Sequence, residues 1–236
     1  MRKHFLIIPF LAIAVCAAAQ PHTEIAEFQR LAGAGSTLLR GEQAEWYGFP
    51  ANGNPYWTSP DYVQGSIEVQ GRTYYDVSVN VDAVAQRALV RVPGSYMSVS
   101  LAPARVGFIQ TAGRRFVGIG PDGPLAEGFY QVIGEGSEKV YRSVYKVLSN
   151  STDNVNGDAI GYRDPNYRYD LTRYFKIREE YWFLNSEGEF SRVRSKGALL
   201  RKFGPRKKEI RKKVAATGSG NLPFEQYCTV VLKVAE

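Results

Sequence analysis

The chain has 236 residues, of which 44% are hydrophobic and 22% charged, and its formal net charge is +7. This composition is that of a globular protein long enough to bury a core without disulfides, and it argues against a disordered chain. The two histidines, His4 and His22, lie near the start. The remainder therefore lacks the base of a Ser–His or Cys–His nucleophile and the ligands of a histidine zinc site.

Residues 1–19 have the pattern of a cleaved signal peptide. Arg2 and Lys3 supply a positive start, Phe5 to Val15 form an apolar run, and small residues follow. The apolar run is about half of the roughly 20 residues that span a bilayer. We therefore expect an exported protein, located in the periplasm, at the outer membrane or outside the cell.

The two cysteines have different expected fates. Cys16 could instead carry the lipid of a lipoprotein, although Val15 stands where such cleavage requires a small residue. Removal of the signal peptide would leave Cys228 alone, so no intramolecular disulfide is expected. Its apolar context, YCTVVL, favours a buried thiol over a nucleophile.

Residues 20–194 are predicted to form a β-rich body. After TEIAEFQRLAGAG, which could form one or two helical turns, short β-type stretches recur about every ten residues between Gly and Pro turns. This spacing predicts an α+β, mainly β fold: an antiparallel sandwich or open barrel of about ten strands, followed by a small α-helical C-terminal tail. The last two strands should form a hairpin around Ser186-Glu187-Gly188.

A helical period begins at Ser195 and predicts a helical C-terminal subdomain, residues 195–236. Ser195 can cap a first short helix. A second helix has a single apolar stripe, Ile210 and Val214. Pro223 opens a third helix, whose apolar face comprises Phe224, Cys228, Val231 and Ala235.

Positive charge is concentrated in one segment. Between Arg192 and Lys213 stand eleven Lys or Arg and one acid, Glu209, a net charge of +10. Without Arg2 and Lys3 the chain carries +5, so everything outside the segment sums to −5. The segment could be no more than a solvated helix face, but its charge density would also attract phosphate-rich surfaces. The predicted anionic-surface site comprises Arg201, Lys202, Arg206, Lys207, Lys208, Arg211, Lys212 and Lys213.

The order of GSIEVQGRTYYDV, EGFYQVI, YWFLNSEGEFSRVRSKGALLRKF and KKEIRKKV resembles a family of exported proteins from Bacteroidota-type bacteria. In that family a hairpin ending in Ser-Lys leads into a lysine-rich helix. The resemblance covers most of the mature chain. It implies export and a β-rich body with a lysine-rich C-terminal helix, and it implies no activity.

Two motifs come close to ligand-binding signatures. VGIGPDG has the glycine spacing of a dinucleotide fingerprint, but its prolines and the strand that follows favour a β-turn. STDNVNGDAIGYR misses the calcium-loop pattern, because Thr152 and Arg163 fall where carboxylates are needed. A looser site of Asp153, Asn156 and Asp158 stays open, and no metal site is assigned.

Two aromatic stretches, IGYRDPNYRYDLTRYF and WYGFPANGNPYWTSP, are candidate ligand-contact loops. Exposed tyrosines can stack on rings, and arginines pair with carboxylate or phosphate groups. Packing of the aromatic rings over the ends of the β body is the alternative. The candidate residues are Trp46, Tyr56, Trp57, Tyr162, Tyr167, Arg168 and Tyr169.

Together these features predict a non-enzymatic exported binding or envelope-associated protein without a cofactor. Its partner would be anionic lipid, lipopolysaccharide or acidic glycan, with peripheral membrane contact at most. A protein partner stays open, and no specific nucleic-acid recognition is expected. One alternative is a carboxylate-dependent hydrolase of envelope glycans, which needs two acids about 5 to 10 Å apart. Glu179 and Glu180 alternate faces of a strand and cannot form that pair. The other alternative is a structural component that pairs through a sheet edge.

Overall fold

A single antiparallel sheet organises the protein. The computed structural model describes residues 36–111, 113–151 and 172–236, and in these ranges eleven strands form one open sheet. The prediction of a mainly β fold with about ten strands before residue 195 is therefore confirmed. The strands are β1 (Glu42–Gln43), β2 (Val63–Val69), β3 (Arg72–Asp82), β4 (Arg87–Arg91), β5 (Ser98–Leu101), β6 (Val106–Thr111), β7 (Arg114–Ile119), β8 (Gly128–Ile133), β9 (Lys139–Ser151), β10 (Thr172–Leu184) and β11 (Phe190–Val193).

The strand order is β1-β5-β4-β3-β2-β6-β7-β8-β9-β10-β11. From β6 onwards each strand pairs with its neighbour in sequence, which is the meander that closely spaced turns favour. The β10–β11 hairpin has the predicted turn, in which the Gly188 N–H donates a hydrogen bond to the Asn185 carbonyl at 3.1 Å. Gly188 adopts φ +85°, a left-handed conformation that glycine tolerates without a steric penalty.

The first half of the sheet curls around its own apolar face. Side chains from distant strands, such as Leu101, Phe129 and Val144, share one buried cluster. The turn after β3 holds the curl in place. Gln86 Nε2 donates to the Val144 carbonyl at 2.9 Å, and the Phe129 N–H donates to Gln86 Oε1 at 3.2 Å. This part of the fold is thus a curled open sheet with a core inside the curl.

Three helices cover the last strands: α1 (Lys196–Lys202), α2 (Lys207–Ala216) and α3 (Phe224–Ala235). They form a second core with the sheet. The rings of Phe183 and Phe203 lie 5.3 Å apart, and those of Tyr181 and Phe224 lie 4.6 Å apart. The C-terminal helical segment is therefore a layer on the sheet that shares its core. The helical residues fully or almost fully buried there are Leu199, Ile210, Val214, Cys228, Val231 and Leu232.

Local signals set the helix boundaries. The Ser195 hydroxyl accepts a hydrogen bond from the Ala198 N–H at 3.2 Å, which confirms the predicted cap. Pro223 precedes α3, as predicted. Among the residues that the structure describes, no helix combines the length and apolar character needed to cross a bilayer.

Candidate functional site

The burial of one apolar stripe orients the cations of α2. Ile210 and Val214 are only 2% and 3% exposed, as the sequence predicts. With 3.6 residues per helical turn, Lys208 and Lys212 then project from the side opposite this stripe. Both residues are exposed. The solvent-facing side of α2 is therefore cationic, because α1 and α3 pack against its only apolar face.

Two of the eight predicted cations are neutralised by neighbouring carboxylates. Arg206 Nη2 contacts both oxygens of Glu138, at 2.6 and 2.7 Å, which ties the α1–α2 corner to the β8–β9 turn. Lys213 Nζ lies 2.8 Å from Glu209 Oε1, one helical turn away. The hydrogen bond from Lys213 lowers the pKa of the Glu209 carboxyl. These two cations have internal partners and are less available to an external anion.

The other six cations form what we call the basic surface. None of them makes an ion pair with a carboxylate in the described part of the chain. Lys207 is half-buried and the remaining five are exposed. The charge segregation expected from the sequence is therefore kept in the fold, at six of the eight positions. The basic surface comprises Arg201, Lys202, Lys207, Lys208, Arg211 and Lys212.

The described aromatic-loop residues do not form one ligand surface. Trp46 is 87% exposed. Tyr56 is half-buried, and its carbonyl accepts a hydrogen bond from Lys146 Nζ. Trp57 is 6% exposed and packs edge-on against Phe116 with ring centroids 5.1 Å apart. The structure thus corrects the placement of Trp57 as an exposed contact, because its indole fills the core of the curled sheet.

Several sequence predictions lie outside the described residues. These are the signal peptide, the helical turns of TEIAEFQRLAGAG, most of the loop that could bind calcium, and four residues of the aromatic loops: Tyr162, Tyr167, Arg168 and Tyr169. They stay predictions.

A charged cluster that sequence reasoning missed lies between the two cores. Arg142 on β9 contacts two carboxylates, with Nη2 2.8 Å from Glu179 Oε1 and Nη1 2.9 Å from Glu225 Oε2. Gln131 Nε2 donates to Glu225 Oε1 at 2.8 Å, and the Tyr181 hydroxyl donates to Glu179 Oε2 at 2.8 Å. The cluster joins α3 to three strands. No local sequence signal could have found it, because its members come from four separate elements.

Both central groups of this cluster are held in their charged forms. Burial disfavours the Glu179 carboxylate, but hydrogen bonds from Arg142 and Tyr181 outweigh burial and lower the pKa of Glu179. Burial also disfavours the Arg142 charge, and the Glu179 hydrogen bond and neighbouring carboxylates outweigh it and raise the pKa of Arg142. A carboxyl that stays ionised is a poor general acid. Glu179 is therefore poorly suited to be the proton donor that the hydrolase alternative needs.

Two further sequence interpretations can be compared with the coordinates. The Gly123 N–H donates to the Gly120 carbonyl at 3.1 Å, so VGIGPDG forms the predicted turn between β7 and β8. Cys228 is fully buried, as predicted, and burial raises the pKa of its thiol to about 12.

The outermost strands, β1 and β11, have only two and four residues. Because β11 pairs only with Tyr181–Leu184 of the longer strand β10, the rest of β10 also lies at this edge, and the edge-pairing alternative stays open.

No family model matches the chain, and no curated protein or solved structure matches it either. Within the described ranges, no group of three or more His, Cys, Asp or Glu is placed to hold a metal ion. The functional argument therefore depends on surface geometry and charge.

Proposed function

We propose that the protein is an exported, envelope-associated binding protein whose basic surface contacts phosphate-bearing anions such as lipid headgroups or lipopolysaccharide. The observation that carries this proposal is the absence of carboxylate partners, among the described residues, for six clustered cations. The signal-like N-terminus and the resemblance to exported proteins support the location. Among the three proposed aromatic contacts that the structure describes, Trp46 is the most exposed.

Electrostatic attraction of this kind is additive over side chains that reach the surface together. Each Lys or Arg near an anionic membrane contributes about 1 kcal/mol, and the attraction fades within one Debye length. Lys208 and Lys212 project away from the core, and Arg211 and the half-buried Lys207 follow on one side of them, so a flat surface that meets Lys208 and Lys212 also comes near these two side chains. Binding should therefore be strong at low ionic strength and weak in high salt.

The first test is co-sedimentation of the full chain with phosphatidylglycerol–phosphatidylcholine vesicles, over a range of salt concentrations. The test variant changes Lys207, Lys208, Arg211 and Lys212 to Gln. We expect this variant to bind about 100-fold more weakly at low salt, because four contributions of about 1 kcal/mol are removed and partly screened.

The matched control removes the same charge from outside the helical segment, by changing Arg40, Arg87, Lys176 and Arg178 to Gln. It should bind within about threefold of the parent chain, because the basic surface stays intact. A second arm replaces the vesicles with lipopolysaccharide and separates the two sources of phosphate. An equal loss of vesicle affinity in both variants, or binding that does not depend on salt concentration, would contradict the proposal.

A further inference from the structure

A row of five side chains crosses the sheet on the face opposite the helices. Register pairs Arg115 with Val132, Val132 with Tyr141, Tyr141 with Trp182, and Trp182 with Arg192. Paired residues in neighbouring strands point to the same face. Because the adjacent residues Val140 and Phe183 belong to the core under the helices, Tyr141 and Trp182 point to the other face. We call these five residues the transverse row.

The transverse row is accessible. Arg115 and Arg192 are exposed, and the three residues between them are half-buried. A cleft of about 890 Å³ is lined by Arg115, Val132 and Tyr141, together with Lys139. It continues around the end of the strands to Lys233 on α3. Arg115, Val132 and Tyr141 therefore form one wall of a concave site large enough for a small ligand or a segment of a polymer, and Trp182 and Arg192 continue the row beyond this cleft.

Basic side chains outnumber acidic ones in the cleft, whose charged lining is Arg114, Arg115, Lys139, Lys233, Glu135 and Glu236. Arg115 and Lys139 make no ion pair with a carboxylate among the residues described. Arg192, at the other end, is bound to Glu180 at 2.6 Å, and its guanidinium carbon lies 5.9 Å from the centre of the Trp182 ring. A ligand would thus meet Arg115 on β7, whose guanidinium carbon lies 4.5 Å from the centre of the Phe108 ring, and Lys139 beside the aromatic surface of β9 and β10.

We propose that the transverse row and its cleft bind an acidic saccharide chain. The flat faces of Tyr141 and Trp182 would stack on sugar rings, while Arg115 and Lys139 would pair with carboxylate or sulfate groups. Strands lie about 4.8 Å apart, so the row extends about 19 Å, enough for several sugar units. The site lies on a different face from the basic surface, and it goes beyond the proposed function.

Ring geometry favours a saccharide over single-stranded nucleic acid. The Tyr141 ring meets the neighbouring Phe190 edge-on, with centroids 5.2 Å apart and an interplanar angle of 76°. These rings do not form the parallel platforms on which successive bases stack. Tyr141 and Trp182, paired in neighbouring strands, instead suit successive units of an extended sugar chain.

The test is isothermal titration of the full chain with oligogalacturonate as the acidic probe. The variants Trp182→Leu and Arg115→Gln should each bind about tenfold more weakly, the equivalent of roughly 1.4 kcal/mol. Leucine keeps apolar volume but removes the flat ring, so thermal unfolding should verify that both variants fold. The Arg115→Gln change alters an exposed side chain and keeps the test decisive if Trp182→Leu is unstable.

One control separates this site from the basic surface, and a second tests whether the ligand must be charged. The variant with Lys207, Lys208, Arg211 and Lys212 changed to Gln should bind oligogalacturonate within about threefold of the parent chain. Neutral dextran should not bind measurably. Oligogalacturonate binding that is lost in this helix variant but unchanged by Arg115→Gln would overturn the inference and leave the basic surface intact. Tighter binding of oligo(dT) than of oligogalacturonate, or no oligogalacturonate binding at all, would also overturn it.

Discussion

Arg142 is the residue on which the junction between the two cores depends. Its side chain is only 12% exposed and lies between Glu179 on β10 and Glu225 on α3. A buried ion pair adds little net stability compared with apolar packing, but breaking it leaves the partners desolvated without compensation. The cluster thus fixes how the helical layer sits on the sheet.

We predict that Arg142→Leu lowers the free energy of unfolding by about 2 to 4 kcal/mol, because two partly buried carboxylates lose their counter-charge. Urea denaturation followed by circular dichroism measures this change. The matched control is Arg192→Leu, which breaks the more exposed pair with Glu180 and should cost less than about 1 kcal/mol. Equal effects of the two substitutions would mean that Arg142 acts only as a surface charge.

Residue identity alone did not reveal which aromatics are exposed. Trp46 and Trp57 stand in the same proline-rich loop, yet one is exposed and the other is core. What separates them is pairing with distant chain segments. The backbone N–H of Trp57 donates to the Val81 carbonyl at 2.8 Å. This bond holds the residue against the sheet, where its indole is buried. Such long-range pairing cannot be inferred from the composition of a loop.

At the scale of elements, local rules worked where the determining contacts are close in sequence. The hairpin turn before β11, the Ser195 cap and the Ile210–Val214 stripe each depend on residues within about five positions of one another. The transverse row is the opposite case. Its members span five strands, from Arg115 to Arg192, and their alignment depends on four successive registers. A shift of one residue in any register would place them on different faces.

The first helix offers a prediction at this scale. Ser195→Ala should lower the free energy of unfolding by about 1 kcal/mol, because the Ala198 N–H loses its side-chain acceptor at the start of α1. Ser195→Asp should restore most of the loss, since aspartate caps equally well and its charge favours a helix N-terminus. Thermal and urea unfolding of the three proteins measure the difference. A Ser195→Asp variant as unstable as Ser195→Ala would contradict the capping role.

At the scale of the whole molecule, one sheet carries two large cores on one face and a smaller cluster around Tyr130 on the other, and leaves two charged surfaces. The same sheet face is covered first by its own curl and then by the helices, so the helices present their polar sides outward. Most basic residues of the C-terminal segment lie on these outer sides, and only two of the eight predicted cations pair with acids in the described ranges. The net charge of the whole chain, +7, does not reveal that basic residues are separated from acidic ones in this way.

The most direct test of the account is lysine footprinting with and without phosphatidylglycerol vesicles. Limited acetylation of the full chain, read out residue by residue by mass spectrometry, compares each lysine in the two conditions. We predict that vesicles slow the modification of Lys208 and Lys212 by about fivefold or more and leave the exposed Lys176 unchanged, because docking buries only the outer face of α2. Uniform modification, or protection of Lys176 in place of Lys208 and Lys212, would contradict the central claim that the basic surface meets the membrane.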